Sequence, residues 1–438
     1  MSTPFYLQGN FAPVREERTA HDLPVTGAIP PELSGLYLRN GPNPRTGDPG
    51  HWFLGDGMVH GVRIESGRAT TYRNRWVRTR FFEDGPEPQL VSPEGVVDHT
   101  VAKANTNVIG HAGRIFALVE SSFPTELTPE LDTVGICDFD GRLTTSMTAH
   151  PKCCPVTGEL HFFGYRFVPP WLTYHRLDAE GRLVESQEIP VAGPTMIHDF
   201  AITSGHLVFM DLPIVFSPPL LAEGRFPYAW SDDYGARLGV LPRGGRGAEV
   251  RWLDIDPCYV FHPMNAFEEG GQIVLDVARY ERLWSDGPES FTPAYLHRFA
   301  IDLEAGKVSE QPLDDRAIEF PRVDERRVGL PNRYGYAVAD PIVPGPLESQ
   351  LLKYDLESGA TVAHDFGAGQ RPGEAVLAAA PGAGEDEGFS LAFVHDAARD
   401  ASDLVILDAR DFAAPPVARI ALPQRVPFGF HGNWIPDA

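Results

Sequence analysis

Four histidines lie in short apolar or aromatic segments that are far apart along the chain. They are His150 in TAHPKCCP, His198 in MIHDF, His262 in CYVFHPMNAF and His431 in FGFHGNW. Imidazole is a common ligand of zinc, copper and iron, and a buried imidazole without a partner is costly. One such histidine alone is more typical of a hydrogen-bonded core residue, whereas four in matching settings favour a shared metal site.

Three glutamates occupy similar surroundings. Glu120 follows GRIFALV, Glu319 lies in AIEFPRV and Glu374 lies in RPGEAVL. A metal-bound imidazole usually donates its second ring N–H to a carboxylate or a carbonyl, which fixes the tautomer. We therefore expect the glutamates to serve three of the four imidazoles and to offset the charge of a divalent ion held by neutral ligands.

Other common catalytic patterns are missing from the sequence. It contains no H-E-x-x-H, no H-x-D or H-x-E pair, no G-x-S-x-G, no Walker A loop and no G-x-G-x-x-G. The sequence therefore lacks the motifs that usually indicate a hydrolase or a nucleotide-dependent enzyme.

The elements that must position these side chains are repeated hairpins, in which two alternating apolar runs flank a turn rich in Asp, Gly or Glu. Clear copies begin at Tyr174, Tyr295, Leu351 and Leu404, and looser copies begin at Val59, Ile136 and Gly235. Glycine and proline make up about a fifth of the chain, above the usual share of about 12%, which suits short strands joined by tight turns.

Seven such hairpins, with further strand-like segments between them, predict an all-β fold. We expect a seven-bladed β-propeller that forms one domain over residues 1–438. Equivalent residues of successive blades converge on the propeller axis, so the histidines would form an axial metal site. A six-bladed or irregular propeller and a pair of β-sandwiches with coincidental hairpins are the alternatives.

Composition excludes several other classes. The net charge of −23 argues against nucleic-acid binding and against electrostatic binding to anionic lipid through a basic patch. No run of about 18 apolar residues occurs, and the first residues, MSTPFYLQGNF, lack the basic and apolar regions of a signal peptide, which predicts a cytoplasmic protein. The four cysteines include the neighbours Cys153 and Cys154, which we interpret as buried thiols without a role.

With these segments in place, the sequence resembles the carotenoid cleavage oxygenase family along nearly its whole length. The resemblance begins at LSGLYLRNGPNP (Leu33 to Pro44) and HWFLGDGMVHGV (His51 to Val62), passes through the histidine and glutamate segments, and ends at FGFHGNW. His51 and His60 are not ligand positions in that family.

The resemblance implies a seven-bladed propeller with capping loops and a non-haem Fe(2+) ion on its axis. The iron ligands would be His150, His198, His262 and His431, and the outer carboxylates would be Glu120, Glu319 and Glu374. Family members cleave a conjugated C=C bond with O2 to give two carbonyl products, without an organic cofactor. The predicted partners are therefore an apolar polyene, such as a carotenoid or apocarotenoid, and O2.

One departure from the family bears on the substrate. Members that cleave lignostilbenes carry a lysine just before the first outer glutamate, where this chain has Val119. Without a cation at this position, the ionised phenol of a stilbene substrate would have no positively charged partner. The substitution therefore favours an apolar polyene as the substrate. The alternatives are a stilbenoid dioxygenase, a non-oxidative isomerase, a zinc or calcium hydrolase on a propeller, and a non-catalytic propeller that acts as a binding module.

The segment from Leu212 to Trp230 is apolar and proline-rich, and its pattern is too broken to predict a strand. By the resemblance it corresponds to an apolar surface at a tunnel mouth, which would give peripheral membrane contact. An ordinary loop packed across one face of the propeller is an equal alternative. The sequence carries no signal from which an oligomeric state can be predicted.

Overall fold

Strands dominate the secondary structure, which confirms the prediction of an all-β protein. The computed structural model describes residues 3–84, 91–92, 96–285, 287, 290–339, 349–380 and 382–437. Within these ranges the α-helices are α1 (Arg80–Asp84) and α2 (Pro218–Ala222). No helix in the described part of the chain is long and apolar enough to cross a bilayer. The described residues also form five three-residue 3-10 helices: Phe5–Leu7, Gly9–Phe11, Trp52–Leu54, Gly247–Glu249 and Glu325–Arg327.

The chain divides into two compact units. The first comprises Met1–Asp140, Glu348–Lys353 and Thr361–Ala438, and the second comprises Gly141–Leu347 and Tyr354–Ala360. A single domain over residues 1–438 stays a prediction.

The first unit contains antiparallel sheets in which chain neighbours usually pair. One sheet has the order β1 (Thr19–His21), β5 (Arg68–Trp76), β4 (Gly57–Glu65), β3 (Gly35–Pro42) and β32 (Gly432–Pro436), so it joins strands from both ends of the chain. A second consists of β6 (Asn107–His111), β7 (Arg114–Leu118), β8 (Thr125–Leu127) and β9 (Thr133–Ile136). A third has the order β2 (Val25–Gly27), β31 (Ala418–Ala421), β30 (Ala401–Asp408), β29 (Gly388–Asp396) and β27 (Gln370–Pro372), with β28 (Val376–Ala379) also paired to β29.

The second unit is built in the same way. Its first two sheets are β10 (Lys152–Cys153), β11 (Leu160–Tyr165), β12 (Leu172–Leu177) and β13 (Leu183–Glu188), and then β14 (Ala201–Ile202), β15 (His206–Asp211), β18 (Arg237–Pro242) and β19 (Arg251–Asp254). A small hairpin pairs β16 (Ile214–Phe216) with β17 (Tyr228–Trp230). The longest strands follow as β20 (Tyr259–Glu269), β21 (Gln272–Tyr280), β22 (Ala294–Asp302), β23 (Lys307–Arg322) and β24 (Tyr334–Ala339), each paired with the next. Strands β25 (Gln350–Asp355) and β26 (Ala360–Asp365) come after β24 in the chain.

Turn chemistry explains why the predicted hairpins form. In the copy that begins at Tyr174, Asp178 directly follows strand β12, and its Oδ1 accepts hydrogen bonds from the backbone N–H groups of Glu180 at 3.1 Å and Arg182 at 2.9 Å. Gly181 takes a φ of +80°, which a residue with a Cβ rarely adopts. The alternating residues on either side then pair as β12 and β13.

Six of the seven predicted hairpins are confirmed, and the copy at Ile136 is wrong. Ile136 ends β9, which pairs with β8, and no strand follows before β10 at Lys152. The threonines of this segment make tertiary contacts instead of a ladder: Thr145 Oγ1 lies 2.7 Å from Nε2 of His175. The segment from 212 to 230 also differs from expectation, because it contains β16, α2 and β17.

Each unit has its own aromatic core. Tyr37 and Phe393 pack edge to face in the first unit, with ring centroids 4.9 Å apart. In the second unit Phe200 packs edge to face against Phe163 at 5.2 Å and stacks with Phe209 at 5.9 Å. Phe200 is fully buried and lies two residues after His198, so this core anchors a candidate ligand segment.

Candidate metal centre

All four predicted ligand histidines lie at the start of a strand or at an irregularity within one. His150 precedes β10, His198 comes shortly before β14, and His431 precedes β32. His262 lies inside β20, where the register with β21 shifts between Val260 and Pro263. A side chain at such a position can leave the strict alternation of the strand, so its direction is set by local backbone geometry.

These histidines form one buried cluster. Each offers a ring nitrogen, and the four nitrogens all lie within 4.8 Å of one another. The four residues are 4–8% exposed. The ring centroid of His150 lies 4.4 Å from that of His198 and 5.0 Å from that of His262.

The spacing of the cluster suits a first-row metal ion. Nε2 of His198 and Nε2 of His262 are 3.1 Å apart. Two nitrogens bound at roughly 2.1 Å from one ion and at a right angle to each other would be about 3.0 Å apart. Four imidazoles are also a donor set that zinc, copper, iron and nickel accept. The residues present therefore fit a divalent transition metal.

Glu319 lies behind His262, as the prediction of an outer carboxylate requires. Its Oε2 accepts hydrogen bonds from Nδ1 of His262 at 2.6 Å and from the backbone N–H of Phe320 at 2.5 Å. Its Oε1 accepts from the Tyr280 hydroxyl at 2.8 Å. Burial acts to raise the pKa of Glu319, but the His262 imidazole and these donors bring it below its ordinary value. A charged carboxylate thus holds the proton of His262 on Nδ1 and turns Nε2 toward the other histidines.

Glu374 makes the same kind of contact with His431. Its Oε1 lies 2.9 Å from Nδ1 of His431, and its Oε2 accepts from the backbone N–H of Gly432 at 2.9 Å. The backbone of His431 is fixed as well, because its carbonyl accepts from the N–H of Asn40 at 2.9 Å, beside the pairing of β3 with β32. The third predicted glutamate, Glu120, is half-buried and follows β7. Its role stays a prediction.

The sequence analysis missed a fourth carboxylate, Asp199, which comes directly after His198. It is 2% exposed, and Nζ of Lys152 lies 2.8 Å from its Oδ1 and 2.9 Å from its Oδ2. Its Oδ2 is 3.7 Å from Nδ1 of His150. Burial raises the pKa of Asp199 above its ordinary value, against the opposing effect of Lys152. Asp199 directly follows His198 in the sequence, and Lys152 lies two residues after His150. This closeness to predicted ligands was the sequence signal that could have identified them.

The remaining predicted features lie outside the cluster. Nδ1 of His60 is 2.9 Å from the Tyr72 hydroxyl, and Nδ1 of His51 accepts from the backbone N–H of Phe53. Cys153 is exposed, so the prediction of two buried thiols is wrong for this residue, whereas Cys154 is buried with its sulfur 3.3 Å from Nη1 of Arg243. Among the described residues, neither His51 nor His60 belongs to the histidine cluster.

Aromatic rings lead away from the histidines through the second unit. The ring of Phe261 lies 5.0 Å from that of His198 and 5.9 Å from that of Trp284. Phe226 follows, 5.5 Å from Trp284, and Tyr228 lies 5.7 Å from Phe226. This series of rings, from Phe261 to Tyr228, joins the histidine cluster to the hairpin of β16 and β17.

An all-β chain with four clustered histidines, two of them hydrogen-bonded to buried glutamates, is suited to a metal-dependent enzyme, and comparison with known proteins identifies its family. The family model described as retinal pigment epithelial membrane protein matches residues 11–436. This protein belongs to the carotenoid cleavage oxygenase family.

Among its curated relatives is the carotenoid cleavage oxygenase of Mycobacterium tuberculosis, which is 41% identical over 98% of this chain and 97% of its own. The carotenoid 9,10(9',10')-cleavage dioxygenase 1 of Arabidopsis thaliana is 36% identical over 99% of this chain and 90% of its own.

Solved structures agree with these relatives. The lignostilbene dioxygenase of Pseudomonas brassicacearum is 30% identical, covers 100% of both chains and has a TM-score of 0.88. A cobalt-substituted apocarotenoid oxygenase of Synechocystis is 30% identical, covers 97% of both chains and has a TM-score of 0.84.

Proposed function

We propose that this protein is an Fe(II)-dependent dioxygenase that cleaves a conjugated C=C bond of a carotenoid or apocarotenoid with O2. Two carbonyl products would form, each with one oxygen atom of O2. The observation that carries the proposal is the cluster of four buried imidazoles, two of which donate Nδ1–H to buried glutamates. Curated relatives with the names carotenoid cleavage oxygenase and carotenoid 9,10(9',10')-cleavage dioxygenase support the substrate class.

The iron would be held by His150, His198, His262 and His431, and when bound it supplies the chemistry of O2 activation. Glu319 and Glu374 keep the ring protons of His262 and His431 on Nδ1, so that each Nε2 offers a lone pair. Their two negative charges offset those of a divalent ion without occupying coordination positions. Ligation by four side chains would leave positions for O2, as a catalytic metal requires.

The series of rings from Phe261 to Tyr228 supports an apolar polyene as the substrate. Such rings offer apolar surface with few hydrogen-bonding groups, which suits a long hydrocarbon. Phe261 and Trp284 are almost fully buried. Aromatic surface beside the histidines would bind the chain of double bonds and exclude water from it.

A stilbenoid substrate is the second candidate, because the lignostilbene dioxygenase of Pseudomonas brassicacearum aligns over the full length of this chain. Val119, however, packs against an apolar cluster that includes Leu36 and Leu38 and offers no cation to a phenolate. The apolar polyene is therefore the favoured substrate.

Other parts of the interpretation stay predictions. They are the seven blades with their capping loops, the single domain, the cytoplasmic location and membrane contact through residues 212–230. In that segment Leu212 and Ile214 are buried, while Leu221 on α2 is 51% exposed, so any lipid contact would be made through α2 rather than through the whole segment.

The function can be tested with purified protein loaded anaerobically with Fe(II). We would add an apocarotenal or a hydroxystilbene, admit ¹⁸O₂, and identify the products by mass spectrometry. Two aldehydes from the apocarotenal, each with one labelled oxygen, are expected. Cleavage of the stilbene alone would favour the second candidate, and turnover of neither by protein with stoichiometric iron would refute the proposal.

A further inference from the structure

The imidazole of His150 is not part of either glutamate pair. Its Nδ1 faces Oδ2 of Asp199 at 3.7 Å. Asp199 is also the chain neighbour of His198, so one residue connects the backbone of one candidate ligand with the ring of another.

Lys152 and the backbone hold the Asp199 carboxylate in place. Nζ of Lys152 contacts both carboxylate oxygens, at 2.8 Å and 2.9 Å, and the N–H of Phe200 donates to Oδ1 at 2.6 Å. The side chain of Phe200 lies in the aromatic core of the second unit. The carboxylate is therefore anchored from two directions and has little freedom to turn away from His150.

A hydroxyl fixes the same two segments to each other. Oγ1 of Thr148 accepts from the backbone N–H of His150 at 3.1 Å and donates to the carbonyl of His198 at 3.3 Å. Lys152 lies two residues after His150, so the Lys152–Asp199 ion pair closes a second connection between these segments. The two connections lie on either side of His150 in the sequence.

We propose that Asp199 and Lys152 are positioning residues that orient the imidazole of His150 for metal binding. Asp199 attracts the Nδ1–H edge of the ring, so Nε2 turns toward the other histidines. Lys152 fixes the carboxylate and balances its charge, so the pair orients the ring without adding net charge to a site that already holds Glu319 and Glu374. This inference rests on the proposed metal centre.

Metal affinity tests the inference apart from activity. The test is an anaerobic titration of the protein with Co(II), followed by visible absorption, together with the unfolding midpoint of the metal-free protein. Outer carboxylates that orient a histidine typically change metal affinity 10- to 100-fold. Because the contact here is 3.7 Å, longer than a hydrogen bond, we expect Asp199→Asn to weaken Co(II) binding about threefold, below that range.

Two variants of the lysine separate positioning from general stability. Lys152→Met should weaken Co(II) binding as Asp199→Asn does and shift the same Co(II) absorption bands. Lys152→Arg, which keeps a cation for the carboxylate, should restore both properties. If Asp199→Asn does not fold, the two lysine variants decide the question.

The matched control is Asp386→Asn, since Asp386 also pairs with a buried lysine, Lys353, at 2.8 Å. It should leave the Co(II) affinity and spectrum unchanged. Wild-type affinity and spectrum in folded Asp199→Asn and Lys152→Met would overturn the inference. Failure of the wild-type protein to bind one equivalent of Co(II) or Fe(II) would instead refute the metal centre itself.

Discussion

Replacement of Glu319 by glutamine removes a charge behind His262 with little change in shape. The amide oxygen can take the place of Oε2 and accept from Nδ1 of His262 and from the N–H of Phe320. The amide nitrogen then faces the Tyr280 hydroxyl, whose proton can rotate so that its oxygen accepts. Glu319→Gln should therefore fold, keep the His262 tautomer and lose only the charge of the hydrogen bond.

The structure sets the size of the effect. A hydrogen bond to a charged group contributes about 1.5–3 kcal/mol and a neutral one about 0.5–1.5 kcal/mol, so the loss is about 1–1.5 kcal/mol. Since about 1.4 kcal/mol corresponds to a tenfold change, the dissociation constant for Fe(II) should rise about 5- to 10-fold. Glu319→Ala should be worse, because it leaves the Tyr280 hydroxyl and the His262 ring without their acceptor.

The assay is an anaerobic Fe(II) titration in competition with a chelator of known affinity. Glu268→Gln is the control, because Oε1 of Glu268 lies 3.0 Å from Nδ1 of His206 in a carboxylate–imidazole pair outside the metal cluster. Its iron affinity should equal that of the wild type. An unchanged affinity in Glu319→Gln, or an equal loss in Glu268→Gln, would contradict the assigned role of Glu319.

The remaining predictions concern the metal and the stability of the second unit. Tyr280→Phe removes one donor from the same carboxylate and should raise the Fe(II) dissociation constant about 2- to 10-fold in the same titration. His198→Ala should abolish stoichiometric iron and cleavage together, as measured by elemental analysis and product mass; full iron content would refute its ligand role. Asp211 is fully buried and accepts a hydrogen bond at 2.8 Å from Arg237, whose side chain is 27% exposed, so Asp211→Asn should lower the free energy of unfolding by about 1–3 kcal/mol in urea titrations, and a loss below about 0.5 kcal/mol would contradict this. Burial lowers the pKa of His161 to about 3, so it stays neutral in the folded protein while the unfolded residue protonates below about pH 6.5. Stability should therefore fall on acidification from pH 6.5 toward pH 3, by up to about 1.4 kcal/mol per pH unit, and His161→Gln should show a shallower fall in urea titrations at pH 7 and pH 5.

The fold was predictable where local chemistry alone determines an element. The hairpin at Tyr174 has alternating residues on both sides of an Asp and Gly turn, and each signal specifies the same structure. The copy at Ile136 has a similar turn, but Thr145 and Thr148 bond to groups far away in the sequence. Such contacts depend on the folded neighbourhood, which a local pattern does not contain.

In the histidine cluster, too, some residues were predictable from local sequence and others were not. Each histidine was visible because a polar ring in an apolar segment needs a partner, and Glu319 and Glu374 were visible for the same reason. The contacts of Asp199 and Tyr280 were not visible, because their partners lie far away in the sequence. Lys152 is 47 residues from Asp199, and Tyr280 is 39 residues from Glu319. No spacing rule joins positions so far apart.

The proposed function requires that four imidazoles hold one iron ion. X-ray absorption spectroscopy of protein loaded anaerobically with Fe(II) tests it most directly, because scattering within the imidazole ring identifies histidine ligands. The predicted result is one iron per chain with four histidine nitrogens at roughly 2.1 Å. Three or fewer histidines, or a carboxylate from Glu319 or Glu374 bound to the iron, would contradict the account.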